Sequence, residues 1–368
     1  MNDTENSRQT CPPVTSLDTP ETKTQDSGDD SGDWISKRLS PSQQWRHSGW
    51  EPVRNRVIDA LRSADAPKTR MEAFCGCGRT AWVLRSKDAP IRVRVAWDRC
   101  HDRFCTPCAR ERSAIVHAAI RERMGADRYR FVTLTLRQTA DGLLSKLTEL
   151  TECFAKLRRT RLWTKAIKGG MAVYEIKRNR ETGHWNVHVH ALTHGRYLDQ
   201  PALKREWHRI TGDSFIVDVR EVKDPSKGAE YVAKYATKAF DHSVTSTPEG
   251  LVEAIRALAG KRLVVTFGTW RGFALTAVEP SDEGWHLVGP LTGLIELRKA
   301  GNASALWLLH ALETGDPTES HPLGEYPGDP DRPIAEVKRY AVHCNTTQQR
   351  FHFDANIDRD WAAVDCMK

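Results

Sequence analysis

Apolar and polar residues alternate most regularly along two neighbouring stretches of the chain. Residues 171–178 read Met-Ala-Val-Tyr-Glu-Ile-Lys-Arg, and residues 184–192 read His-Trp-Asn-Val-His-Val-His-Ala-Leu. Between them lies a polar run from Asn179 to Gly183. A period of two marks a strand, and Asn and Gly mark a turn, so the pattern predicts a hairpin over 171–193. Alternate side chains share a face. Val187, Val189 and Ala191 therefore point into a core, and His188 and His190 point away from it. A turn centred near Glu181–Thr182 sets Glu175 opposite His188 and Val173 opposite His190. That register brings Glu175, His188 and His190 onto one face, with Tyr174 and Ile176 joining the valines on the other.

The same reading supplies the remaining elements. Helical spacing predicts a helix from Pro52 to about Ser63, through Val53, Val57, Ile58 and Leu61. A long, interrupted helix is expected over 142–168, through Leu143, Leu144, Leu147, Leu150, Phe154 and Leu157, with Cys153 on its apolar face. Further helices are expected over 113–124, near 200–211, over Tyr231–Lys238 and from Leu291 to Leu312. Strands are expected over Ile91–Trp97, 130–136 and Phe215–Arg220, with a closing strand and loop over 261–275. In the strand 130–136, Val132, Leu134 and Leu136 fall on one face and Phe131, Thr133 and Thr135 on the other. The order β-α-β-β-α-β-α predicts an α+β fold. Its sheet would be antiparallel-rich with helices on one face, in a ferredoxin-like or split-βαβ arrangement.

Charge divides the 368 residues unevenly. Residues 1–34 carry net charge −6 and residues 310–368 net −5, so residues 35–309 carry +18. A basic centre between acidic ends suits a polyanionic partner. Residues 1–34 hold too few apolar side chains to offset the entropy of ordering and are expected to be disordered. The expected layout is this acidic tail, a helix with a cysteine-rich, zinc-ribbon-like module over 35–125, a catalytic domain over 126–275, and a C-terminal segment, 276–368, of no assigned role. No apolar run reaches the ~18 residues of a membrane span. No secretory signal is visible either, so a cytoplasmic location is expected.

Nine cysteines in that compartment point to metal or thiol chemistry before disulfides. Cys75-x-Cys77 and Cys100-x4-Cys105-x2-Cys108 flank the strand at 91–97, which is the layout of a zinc ribbon. Cys75, Cys77, Cys105 and Cys108 are the favoured Zn²⁺ ligands, with Cys100 as the alternate and His101 also competing. Arginines surround this module. Arg103, Arg110 and Arg112 are candidates for phosphate contacts to DNA, and a purely structural zinc staple fits the module equally well. On the hairpin, two imidazoles and a carboxylate suit a divalent cation that also holds substrate oxygens. On a helix, Tyr231 and Tyr235 share one face, and Lys234 and Lys238 another. A tyrosine hydroxyl is a competent nucleophile toward a phosphodiester.

His188-Val189-His190 followed by Tyr231-x-x-Lys234-Tyr235-x-x-Lys238 resembles the HUH endonucleases, and among them the rolling-circle replication initiators of plasmids and phages. Arg130 to Arg137 resembles that family's first motif, and the order of motifs is that of the initiators. The resemblance spans roughly residues 75–275. It implies site-specific, metal-dependent nicking and strand transfer on single-stranded origin DNA. His188, His190 and Glu175 would hold Mg²⁺ or Mn²⁺. The doubled tyrosine resembles that of initiators in which both tyrosines act. Related initiators with Glu at the first position make Tyr235 the leading nucleophile. Tyr231 would then act second, Lys234 would be the electrostatic partner, and Lys238 would contact backbone phosphate. The sequence has no GxxxxGK[ST] motif, so a host helicase and a host polymerase are the expected partners. Two other readings compete: a two-tyrosine transposase of the same superfamily, and a non-catalytic zinc-ribbon DNA-binding regulator.

Overall fold

The computed structural model describes residues 38–88, 90–125, 128–224, 242–273, 284–314, 323 and 325–328. Tyr231, Lys234, Tyr235 and Lys238 lie outside the described residues, as does the acidic tail, 1–34. In chain order the helices are α1 (Pro41–Arg46), α2 (Glu51–Ser63), α3 (Lys68–Gly76), α4 (Thr106–Arg123), α5 (Leu143–Arg159), α6 (Arg161–Ala166), α7 (Gln200–Thr211), α8 (His242–Thr245), α9 (Pro248–Ala257), α10 (Leu291–Lys299) and α11 (Ala303–Thr314). The strands are β1 (Ala81–Ser86), β2 (Val93–Trp97), β3 (Tyr129–Thr135), β4 (Ile167–Arg178), β5 (Trp185–Gly195), β6 (Val217–Val222), β7 (Val264–Gly268) and β8 (Trp285–Pro290). This is an α+β chain, and among the described residues every strand pair is antiparallel. Among the described residues no helix is long and apolar enough to cross a membrane.

The contacts divide the chain into two units. One comprises Met1–Trp45, Cys75–Asp98 and Glu279–Lys368, and the other Arg46–Phe74 and Arg99–Val278. These units are discontinuous along the chain, whereas the expected layout, with boundaries at 125/126 and 275/276, is linear. Helix α2 packs with α9 inside the larger unit, and β8 pairs with β1 in the smaller. A linear reading misses this because the pairing partners are about 200 residues apart.

The larger unit is built on a five-stranded sheet of order β6-β3-β5-β4-β7. Strands β3 and β4 run one way and β5, β6 and β7 the other, so β3 to β6 form a β-α-β-β-α-β unit with β5 inserted between β3 and β4. One face presents Val132, Leu134, Tyr174, Ile176, Val187 and Val189, all buried. Helix α5 supplies Leu143, Leu147, Leu150, Phe154 and Leu157 to the core. Its Phe154 ring meets Tyr174 and Phe267 edge-on, with centroids 6.4 and 5.9 Å away. The expected interruption of the long helix falls at Thr160. Its hydroxyl accepts from Trp163 N at 3.3 Å and starts α6.

Helices cover both faces, not one. On the histidine face, Val116 and Ile120 of α4 cluster with Tyr129, Met171, Val173, Leu192 and Trp270. The apolar side chains at that end of the face need cover from water, and α4 provides it. Helix α4 also begins at Thr106, not at 113. Cys105 caps it and Pro107 occupies its first turn, where the missing N–H costs nothing. Strand β6 starts two residues later than the alternation suggests, leaving Phe215 and Ile216 exposed.

Close approach of β4 to β5 depends on glycine. Gly170 has φ +155°, and a Cβ there would lie 2.0 Å from Leu192 O. Gly170→Ala is expected to lower stability by at least about 1–3 kcal/mol. Urea unfolding would measure it, and an unchanged midpoint would contradict the expectation.

The smaller unit is a three-stranded sheet of order β2-β1-β8. Ala81, Val83, Val95, Trp97 and Val288 form its core with Leu291, Leu294, Trp307 and Leu308 of α10 and α11.

Candidate active site

The hairpin register is the one the alternation predicts: Glu175 pairs with His188 and Val173 with His190. Strand β3 extends both rows, setting Thr135 beside His188 and Thr133 beside His190. Five polar side chains from three central strands thus share a face. Each imidazole is held at Nδ1. Thr135 Oγ1 is 3.0 Å from His188 Nδ1, and Thr133 Oγ1 is 3.2 Å from His190 Nδ1. The buried Glu175 carboxylate has a partner at each oxygen. Oε2 lies 2.9 Å from His190 Nε2, and Oε1 lies 3.1 Å from Lys177 Nζ. Lys177 reaches it because it is two residues along the same strand. The two imidazole centroids are 6.0 Å apart.

Burial pushes the His188 imidazole down to about 4; Glu175 pulls it up, and His190 and Lys177 push it further down. Burial raises the Glu175 carboxyl, but the hydrogen bond and charge of His190, with Lys177, outweigh it and hold the group below the ordinary carboxylate range. Near neutral pH the face therefore offers a neutral His188 and an ionised Glu175, the protonation states that ligate a divalent cation. Because a threonine engages Nδ1 of each ring, a cation would be ligated through Nε2, which on His190 meets Glu175 Oε2. The donor set fits such a cation, which would replace the His190–Glu175 bond. Among the described residues, only a cysteine group brings three or more ligand atoms all within 4.8 Å, so the histidine face is the more open arrangement.

These shifts make stability depend on pH. The folded-state value of His188 is depressed to about 4, so the unfolded chain takes up that proton first as pH falls below about 6.5. Stability is then lost between about pH 6.5 and pH 4, by up to about 3 kcal/mol. Glu175, also depressed, adds loss in the same direction at lower pH. The cation-free protein is expected to melt progressively earlier across this window, and His188→Gln to flatten that limb. Parallel curves for the two proteins would refute it.

The cysteine group comprises Cys77, Cys100, Cys105 and Cys108, whose sulfurs lie within 4.8 Å of one another. Four such thiolates fit a tetrahedral metal such as zinc. Cys100 Sγ and Cys108 Sγ are 3.7 Å apart. Cys105 and Cys108 occupy the N-cap and first turn of α4, where the helix dipole favours thiolate. Arg46 Nη2 donates to Cys108 Sγ at 3.3 Å. This group contains Cys77, Cys105 and Cys108 of the favoured quartet together with Cys100, the alternate, and does not contain Cys75. Cys75 lies inside α3, buried, and is not in the group. His101, exposed, is not in the group.

A family model described as "Replication protein" matches residues 92–289, more than half of the chain. The chain belongs to the replication-protein family. "Protein rep" of Lactiplantibacillus plantarum is 30% identical over 252 residues, covering 58% of this chain and 78% of the relative. "Protein rep" of Streptococcus pneumoniae serotype 2 (strain D39 / NCTC 7466) is 27% identical over 221 residues, covering 53% and 68%. No solved structure gives a significant match.

In this replication protein the candidate DNA-contacting arginines differ in setting. Arg112 is exposed. Arg110 stacks over the Trp50 ring at 4.5 Å, and Arg103 Nη2 donates to Lys261 O at 2.7 Å. Trp270 is buried in the core beside Tyr129 and His194. The sequence reading missed Lys177 at the site and gave the two threonines no task. The signal was present in β3, where Thr133 and Thr135 alternate in step with His190 and His188.

Proposed function

We propose that this replication protein is a rolling-circle initiator of HUH type, a metal-dependent enzyme that nicks and rejoins one strand of origin DNA. The observation that carries the proposal is the Glu175–His188–His190 face, with both imidazoles fixed at Nδ1, in a chain of the replication-protein family. His188, His190 and Glu175 would hold Mg²⁺ or Mn²⁺. Such a cation, when bound, polarises the scissile phosphate. The Tyr235 oxygen bonds to phosphorus as its proton passes to solvent. The bond from phosphorus to the 3′ oxygen breaks, and that oxygen leaves as a hydroxyl. A 5′-phosphotyrosyl link and a free 3′-OH primer result. Lys234 neutralises charge developing on the phosphate, and Tyr231 attacks the regenerated junction to release a circle. A host polymerase extends the primer and a host helicase opens the duplex. The cysteine group, holding Zn²⁺, braces the N-terminal part of the fold.

The test is a covalent-adduct assay. The protein is incubated with Mn²⁺ and end-labelled single-stranded oligonucleotides tiled across its own genetic neighbourhood. A denaturation-resistant band that disappears in the Tyr231→Phe/Tyr235→Phe double variant is expected. Binding without any adduct would favour the non-catalytic regulator. A band that survives the double variant would mean a different nucleophile.

A further inference from the structure

Strand β3 lays two hydroxyls against the two histidines, one apiece, at 3.2 and 3.0 Å. Threonine is common in strands for its shape alone, and valine would serve that purpose as well. Shape does not account for both hydroxyls lying within hydrogen-bond distance of a ring nitrogen. The chemistry of imidazole does. A neutral ring carries one N–H and one lone pair. To ligate a cation through Nε2 it must keep its proton on Nδ1, and that N–H needs an acceptor.

His190 faces a second requirement. Its Nε2 lies 2.9 Å from Glu175 Oε2, and an ionised carboxylate only accepts. In this arrangement Nε2 therefore donates, whereas ligation needs its lone pair. A hydroxyl beside Nδ1 suits both arrangements, because it both donates and accepts.

We propose that Thr133 and Thr135 are positioning residues of the cation site: their hydroxyls, at 3.2 and 3.0 Å from Nδ1, fix the two imidazoles so that each would meet a divalent cation through Nε2. The inference rests on the metal-dependent reading of the site.

The experiment uses the full, zinc-loaded chain and two probes. Mn²⁺ affinity is read by electron paramagnetic resonance, and ¹⁵N shifts of the histidines are read with and without diamagnetic Mg²⁺. Thr133→Val and Thr135→Val are each expected to weaken Mn²⁺ binding by about 10–100-fold, and Thr→Ser at either position to restore it. Wild-type Mn²⁺ affinity in the valine variants would overturn the proposal. So would equal losses in valine and serine variants. If the wild type binds no Mn²⁺, the metal reading fails separately, and the cation-free spectra still judge the threonines. Histidine shifts unchanged by Thr133→Val and Thr135→Val would then overturn their assignment.

Discussion

His190→Ala is expected to reduce oligonucleotide nicking on the order of 10³-fold while leaving the fold and much of the DNA affinity in place. The ring is a proposed cation ligand and also holds the buried Glu175 carboxylate at 2.9 Å. Removing it takes away the ligand and leaves Glu175 to Lys177 alone. The site lies on a sheet whose opposite face is packed by α5, so the loss stays local. Glu175→Gln should fall in the same range, because the amide keeps the volume but loses the charge a cation requires. Both effects should appear in the rate of the chemical step, measured in single turnover with saturating Mn²⁺. Oligonucleotide affinity in the absence of cation should change by only a few fold. Nicking by His190→Ala within ten-fold of wild type would remove this face from the reaction.

Cys108→Ser is expected to abolish stoichiometric zinc and to destabilise the protein by more than about 4 kcal/mol. Its sulfur belongs to the four-sulfur group and also accepts from the buried guanidinium of Arg46. Arg46 in turn pairs with Glu111 at 2.7 Å, as does Arg99 at 3.1 Å. Losing the thiolate would leave a charge network assembled around a missing anion, which is costly in a buried setting. The comparison that decides the ligand set is Cys100→Ser against Cys75→Ser. The first should lose zinc and the second retain it, measured by metal analysis of the purified chains. The opposite result would restore the quartet favoured by spacing alone.

How much was legible in the sequence depended on how local its cause was. The hairpin register followed from strict alternation and a short polar turn, so the Glu175–His188 pairing could be read directly. The cysteine group could not, because five cysteines compete for four places and spacing alone does not say which sulfurs meet. Strand β1 escaped notice because all six of its residues are buried, and a strand covered on both faces shows no alternation. Helix α4 was placed late because its early turns follow from a capping cysteine and a proline, not from an apolar stripe. The second helical layer needed knowledge that Leu192, Met171 and Val173 form one patch, which depends on strand order. Lys177 was overlooked because a lysine in a strand reads as a solvated edge.

The pairing of β1 with β8 has a consequence for how the chain is made. Strand β1 leaves the ribosome early, yet its second neighbour lies about 200 residues further on. At ordinary elongation speeds of about 5–20 residues per second, that interval lasts roughly 10–40 s. During it, one edge of an apolar strand carries unpaired backbone groups, the kind of edge that recruits other chains. The five-stranded sheet, whose strands all lie between β1 and β8, can form within the interval. The smaller sheet closes only after it, so a chain interrupted before Trp285 would keep its five-stranded sheet but present a sticky edge to its neighbours.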